Sequence, residues 1–342
     1  MRRTRTSGYY NGRTMTQSNK KNTSRTKRKS TRNRTVNRGK QSKRPHSTAK
    51  SRRSRKTRSF TRWWQHASLR TRLVSTLTAL IATICVIALV WTLTDIVVQR
   101  IEIVQAQNRQ SELVQTYNFD PGDIISDGQF FNAHAMSEAE VQAFLNEQGA
   151  QCSGTQCLKT RTFDTEDRAA DQYCSAYKGA KGETAAAIID KTARACKVSQ
   201  KVLLTVLQKE QQLVTATHPS DFQFKAAMGL SCPDDASCDP QYAGFFNQVF
   251  GSAQRYRYYA AHESQYGYHA GQLNYIQYHP NASCGGSDVY ITNTATALLY
   301  IYTPYQPNTA ALAAGAGEGN SCSSYGNRNF AIIYQGWFGS AR

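Results

Sequence analysis

The chain has 342 residues, room for about two ordinary domains, and carries a net charge of +19. Of its 42 Lys and Arg residues, 25 lie in residues 1–72, which hold no Asp or Glu; the other 17 stand against all 23 acidic residues. The basic excess belongs to one tail, so a positively charged nucleic-acid groove through the rest of the chain is excluded as the main theme.

Residues 1–72 are built from Arg, Lys, Ser, Thr and Asn, with almost nothing apolar before Phe60. Such a segment buries too little apolar surface to offset the entropy of ordering it, and reads as a disordered basic tail. Anionic lipid is its nearest expected partner; cytoplasmic nucleic acid or an acidic division protein are the alternatives.

From Leu73 to Thr94 there are 22 residues without a charge. At helical rise they cover about 33 Å, enough to cross a bilayer core. Trp63 and Trp64 before the run and Trp91 near its end fit interface anchors. Arg70 and Arg72 flank the basic side, while Asp95, Arg100 and Glu102 open the far side. The positive-inside rule then places the tail in the cytoplasm and the C-terminal part outside. The run is too long for a cleaved signal peptide and lacks an Ala-x-Ala site; the rival is a buried globular helix. Residues 73–98 therefore read as an uncleaved signal-anchor of a single-pass type II cell-membrane protein, 99–117 as a helical or flexible stalk, and 118–342 as one extracytoplasmic domain.

Within that domain, turn chemistry surrounds Pro121-Gly122. Ser137 through Glu140 forms a capping box, with Met136 and Val141 placed as a hydrophobic staple. A helix is expected from there to about Asn146, with Gly149 beyond it. A second is expected over Glu183 to about Ala195. Ser199 offers an N-cap for a third, QKVLLTVLQKEQQLV. Residues 290–297 add a strand or a short helix. Eight cysteines follow the span and Cys85 lies inside it. An even count on the translocated side points to disulfides in an oxidising compartment. Of the many connectivities we take the sequential one: Cys152–Cys157, Cys174–Cys196, Cys232–Cys238 and Cys284–Cys322. No C-x-x-C pair occurs, so zinc is not expected.

In the third helix Leu203, Val206, Leu207, Leu213 and Val214 recur at i, i+3, i+4, i+10 and i+11, one helical face. Position i+7 is Glu210. A carboxylate on an apolar stripe is costly unless partnered or protonated. Desolvation favours the protonated form, which a general acid working near neutral pH requires. The bland reading is a structural Glu bonded to a Tyr or to backbone.

The run AAAIIDKTARACKVSQKVLLTVLQKEQQLV resembles the core of lytic transglycosylases and goose-type lysozymes, in which a helix and a short turn lead into a helix ending in the catalytic Glu. Ala227-Met228-Gly229-Leu230 resembles the segment lining that family's cleft. FDPGDIISD, GLSCPD, YAGFFNQVF, YTPYQPN and CSSYGNRNF, within residues 118–340, look like an actinobacterial family of secreted lysozyme-like proteins, some labelled haemagglutinins. The resemblance implies a mainly α, lysozyme-like domain behind the single transmembrane helix. It implies Glu210 as catalytic residue, and a peptidoglycan glycan strand as substrate, held by Met228, Gly229, Leu230, Tyr302 and Tyr305. It also implies no cofactor. Two departures stand out: Gln211 follows Glu210 where the family has Ser, and Ser231-Cys232 replaces its Met-Gln.

No second carboxylate sits beside Glu210: Glu183 and Asp190 belong to the preceding helix, and Asp234, Asp235 and Asp239 read as a solvated loop. This favours a single-acid transglycosylase over a two-carboxylate hydrolytic muramidase. A non-catalytic wall-binding or adhesin protein on the same fold is the alternative. Of the dense aromatics after Tyr242 most read as core. His218 and His279 precede prolines and read as turn residues, so no metal is expected. Gly315 to Gly319 reads as a flexible loop without a phosphate-binding Lys-Ser/Thr, and Asn281-Ala282-Ser283 fits a glycosylation sequon.

Overall fold

A computed structural model describes residues 62–232 and 238–342. Most of the basic tail, and Asp234 and Asp235, lie outside the described residues. The chain divides into two units, residues 1–77 and 78–342.

The first long element is helix α1, Leu69–Tyr117, one unbroken helix through both the expected anchor and the expected stalk. Its apolar side chains from Leu73 to Val98 are all exposed. A soluble helix would bury such a stripe, so the buried-globular-helix rival is excluded. Together with the disulfides below, this marks a secreted or membrane-anchored protein.

The domain that follows is mainly helical: α2 (Asp127–Phe130), α3 (Glu138–Gln148), α4 (Ala185–Cys196), α5 (Gln200–Gln211), α6 (Asp221–Lys225), α7 (Phe245–Ala261), α8 (Thr294–Tyr302), α9 (Thr309–Ala313) and α10 (Gly326–Phe338). Two antiparallel hairpins join them. In one, β1 (Thr162–Phe163) pairs with β2 (Glu183–Thr184); in the other, β3 (Gln272–Gln277) pairs with β4 (Gly286–Ile291), Gln272 opposite Ile291.

α4 is the hub, packed against α3, α5 and α7. Its small side chains allow close approach, and Ala185, Ala186, Ile188, Ile189, Ala193 and Cys196 are buried around its circumference. Tyr256, Tyr300, Tyr334, Phe130 and Phe330 are the largest fully buried side chains, with Phe130 edge-on to Tyr256 at 5.1 Å between ring centres.

The α3 capping box forms as read: Ser137 accepts from the Glu140 amide, and the Glu140 carboxylate accepts from the Ser137 amide. The second helix begins later than expected. Thr184 caps it, accepting from the Ala187 amide, and Glu183 falls in β2. There Glu183 is buried and accepts from the Tyr177 hydroxyl at 2.7 Å, from Thr165 and from Lys191. Residues 290–297 hold both alternatives, the end of β4 and the start of α8, split by the Asn293 cap.

The four disulfides pair in sequence order: Cys152–Cys157, Cys174–Cys196, Cys232–Cys238 and Cys284–Cys322. The Gly315–Gly319 segment is less free than its composition implies. Arg328, almost fully buried, donates to the Gly317 and Ala311 carbonyls at 2.8 and 2.9 Å. Likewise His279 accepts from the Asn281 amide, a turn contact.

Candidate functional site

α5 ends at Gln211, and Gln212 adopts the left-handed conformation at φ 52°. The expected helix to Val214 is therefore three residues too long. Leu213 and Val214 are buried, but by the turn that follows the helix. Gln208 ties that turn down, accepting from the Thr215 amide and donating to its hydroxyl at 2.8 Å. Gln223 of α6 donates to the Gln211 carbonyl at 2.8 Å. The last turn of α5 is thus held on both sides.

Glu210 sits on that turn, its side chain 25% exposed. The apolar stripe does not enclose it. It is the partnered form of a half-buried carboxylate: Oε1 lies 2.5 Å from Nζ of Lys209, whose side chain is only 6% exposed. Lys209 also donates to Thr303 Oγ1 at 3.1 Å and lies 5.6 Å from the centre of the Tyr302 ring. Nothing in the sequence marks this pair, because adjacent residues on a helix do not normally face each other.

The opposite wall is the turn after α6. Gly229, at φ +72°, presents no Cβ; one placed there would lie 3.1 Å from Glu210 Oε2. Met228 and Leu230, read as sugar contacts, bury their side chains in the core, so only their backbone belongs to the site. Gln248 of α7 fixes that backbone, accepting from the Met228 and Leu230 amides at 3.0 Å each and donating to the Leu230 and Tyr242 carbonyls at 2.8 Å. No motif points to Gln248, and only the fold shows that its amide is fully buried.

Of the two tyrosines, Tyr302 is at the site. Its hydroxyl donates to the Met228 carbonyl, and its ring stacks on Tyr256 at 5.0 Å. Burial, then the negative charge of Glu210, pushes the Tyr302 phenol up, so it is a neutral donor at any physiological pH. Tyr256 is also pushed up, by burial first and then by Tyr302 and Glu210. Its hydroxyl has no hydrogen-bond partner among the described residues. Tyr305 lies elsewhere: its carbonyl accepts from Asn327, and its phenol neighbours Tyr268.

Among the described residues, the other candidate carboxylates serve the fold. Glu183 is taken by its network, and Asp190 accepts from Arg194 and from Gln200 at 2.8 Å. Asp239 accepts from the Gln241 amide in a local turn. The arrangement offers one carboxylate beside a buried ammonium, a neutral phenol and a glycine-lined wall.

These features define a class: a mainly helical, four-disulfide domain behind one long apolar helix. Residues 123–342 match the family described as LasA, N-terminal domain, and the chain belongs to that family. No curated protein matches the chain, and no solved structure does.

Proposed function

We propose that the domain has a lysozyme-like fold and cleaves the glycan strand of peptidoglycan between muramic acid and glucosamine, as a membrane-anchored type II lytic transglycosylase. The observation that supports this most is the placement of Glu210. It is, among the described residues, a single partly exposed carboxylate on the pinned last turn of a buried helix, facing a glycine whose missing Cβ leaves room beside Oε2.

In this reading Glu210 takes up a proton from solvent as substrate binds and gives it to the glycosidic oxygen as the C1–O bond breaks. The resulting carboxylate then accepts the proton of the sugar's own 6-hydroxyl as that oxygen bonds C1, closing an anhydro ring. Lys209 holds Oε1 in place, and Tyr302 fixes the Met228–Gly229 wall. Oxocarbenium character at C1 is stabilised by the carboxylate once its proton has left.

Two readings compete. A wall-binding or adhesive protein is favoured by the Lys209 contact, which satisfies Glu210 without any substrate, and by the Gln211 and Ser231-Cys232 departures. A hydrolytic muramidase needs a second carboxylate; its candidate near Asp234 lies outside the described residues. The purified protein, incubated with peptidoglycan, separates the three by the ends of released fragments in mass spectrometry. Anhydro ends, lost in Glu210→Gln, are the expected result. Reducing ends assign hydrolysis, and retention on the wall without release, unchanged in Glu210→Gln, overturns the enzyme.

For the tail we propose anionic lipid of the inner leaflet as partner, with nucleic acid or an acidic protein as the alternatives. Flotation of a peptide of residues 1–72 with vesicles should require anionic lipid; binding indifferent to lipid charge removes this partner.

A further inference from the structure

α1 does not end in a hinge. It runs into the domain, and the first residue after it, Asn118, turns the chain sharply at φ 53° while its side chain donates to Gln335 of α10 at 3.1 Å. Phe119 is already buried. Earlier on the helix, Ala106 and Gln110 are buried, and Leu113 and Tyr117 pack against the main core. These positions fall on one helical face.

Gln110 is the clamp. Its Oε1 accepts from the Tyr290 amide at 2.8 Å; its Nε2 donates to Asp120 Oδ1 at 3.0 Å and to the Tyr290 carbonyl at 3.3 Å. The helix side chain thereby pairs with the edge of β4 as a neighbouring strand would. Gly122 makes room for it: a Cβ there would meet Gln110 Nε2 and the Tyr290 carbonyl oxygen at 2.1 Å each. Arg109 adds a contact to the Asp288 carbonyl at 3.4 Å.

The uncharged run ends at Thr94, and the first fully buried residue of α1 is Ala106. From Asp95 to Ala106 the helix rises only about 16 Å. A domain of this length is roughly 45 Å across. No part of it can then lie more than about 60 Å from the hydrocarbon edge, and any tilt of the helix brings it closer.

We propose that α1 is a rigid strut, and that it restricts the domain to glycan strands lying at the outer face of the bilayer. These are strands newly supplied by glycosyl transfer at the membrane surface; cross-linked wall lying more than about 60 Å from the hydrocarbon edge is out of reach. The assignment rests on the glycan-cleaving reading and on α1 crossing the bilayer.

The test uses the full chain in vesicles with a fluorophore at exposed Ser153 and energy acceptors on the lipid headgroups. A partner variant carries Gln110→Ala and a Gly-Ser insertion of about 24 residues after Gln99, which adds a coil of roughly 27 Å. Each protein is given glycan polymer anchored in the same vesicles, or detached cross-linked wall fragments. Expected are a high transfer efficiency that drops in the variant, and anchored polymer cut at least tenfold faster than fragments by the natural chain but not by the variant. Equal cutting of both substrates by the natural chain, or transfer that the insertion leaves unchanged, overturns the proposal. If transfer behaves as expected but neither substrate is cut, the cleavage reading fails and the substrate assigned here falls with it, while the strut stands on the transfer measurement.

Discussion

Gly229 carries two demands at one position. Its φ of +72° costs an L-residue about 1–2 kcal/mol, and its missing Cβ leaves room for Glu210 Oε2. Gly229→Ala should lower stability in urea by about that amount. On the glycan-cleaving reading, strand release should fall at least tenfold more than the loss of folded protein explains. Glu183 makes a different prediction. Burial works to raise its pKa, but hydrogen bonds from Lys191, Thr165 and Tyr177 outweigh it, and the group is lowered. A lowered carboxyl contributes stability that is fully present above the unfolded value near 4.3 and is lost as pH falls through the folded one. Glu183→Gln should cost about 1–3 kcal/mol at pH 7 and flatten the drop in stability between about pH 5 and pH 3, read by urea midpoints across that range. A mutant whose acid limb is as steep as the natural chain's contradicts this network.

Between elements the disulfides do unequal work. Cys284–Cys322 closes a loop of 38 residues and Cys152–Cys157 one of 5. The loop-entropy argument puts their removal at about 4 and about 2 kcal/mol respectively, so paired Ser substitutions should shift the denaturation midpoint roughly twice as far for the first pair. The helices themselves were legible where local chemistry decides: the Ser137 box and the α4–α5 pair follow from capping and periodicity, whereas sequence leaves residues 290–297 open between strand and helix and the structure splits them at Asn293. The misreadings share a cause. Glu183 looks like a helix start, yet a tertiary network of Tyr177, Thr165 and Lys191 draws it into a strand. Leu213 and Val214 continue the apolar spacing of α5, but Gln208 and Gln223 stop the helix by contacts with residues that sequence spacing does not bring near. At the candidate site the carboxylate was legible as an anomaly on a stripe. Its ammonium partner and the buried amide of Gln248 were not, since neither lies in a recognisable pattern.

For the whole molecule, the charge step across the apolar run sets the expected topology. Protease added outside intact cells should digest or release the disulfide-tied domain and leave the basic tail protected; digestion of the tail instead reverses the orientation. The Gln110 clamp also bears on how the domain can be shed. The Tyr290 amide and carbonyl sit on the outer edge of β4 and are satisfied by a side chain of α1. A cut at residues 95–102 takes that side chain along, and the released domain keeps a closed sheet edge. A cut between Leu113 and Tyr117 leaves the edge bare and also removes the buried Ala106 and the core-packed Leu113. Unpaired edges recruit other strands, so the shorter form should self-associate where the longer one stays monodisperse, and the difference is visible by light scattering of the two fragments.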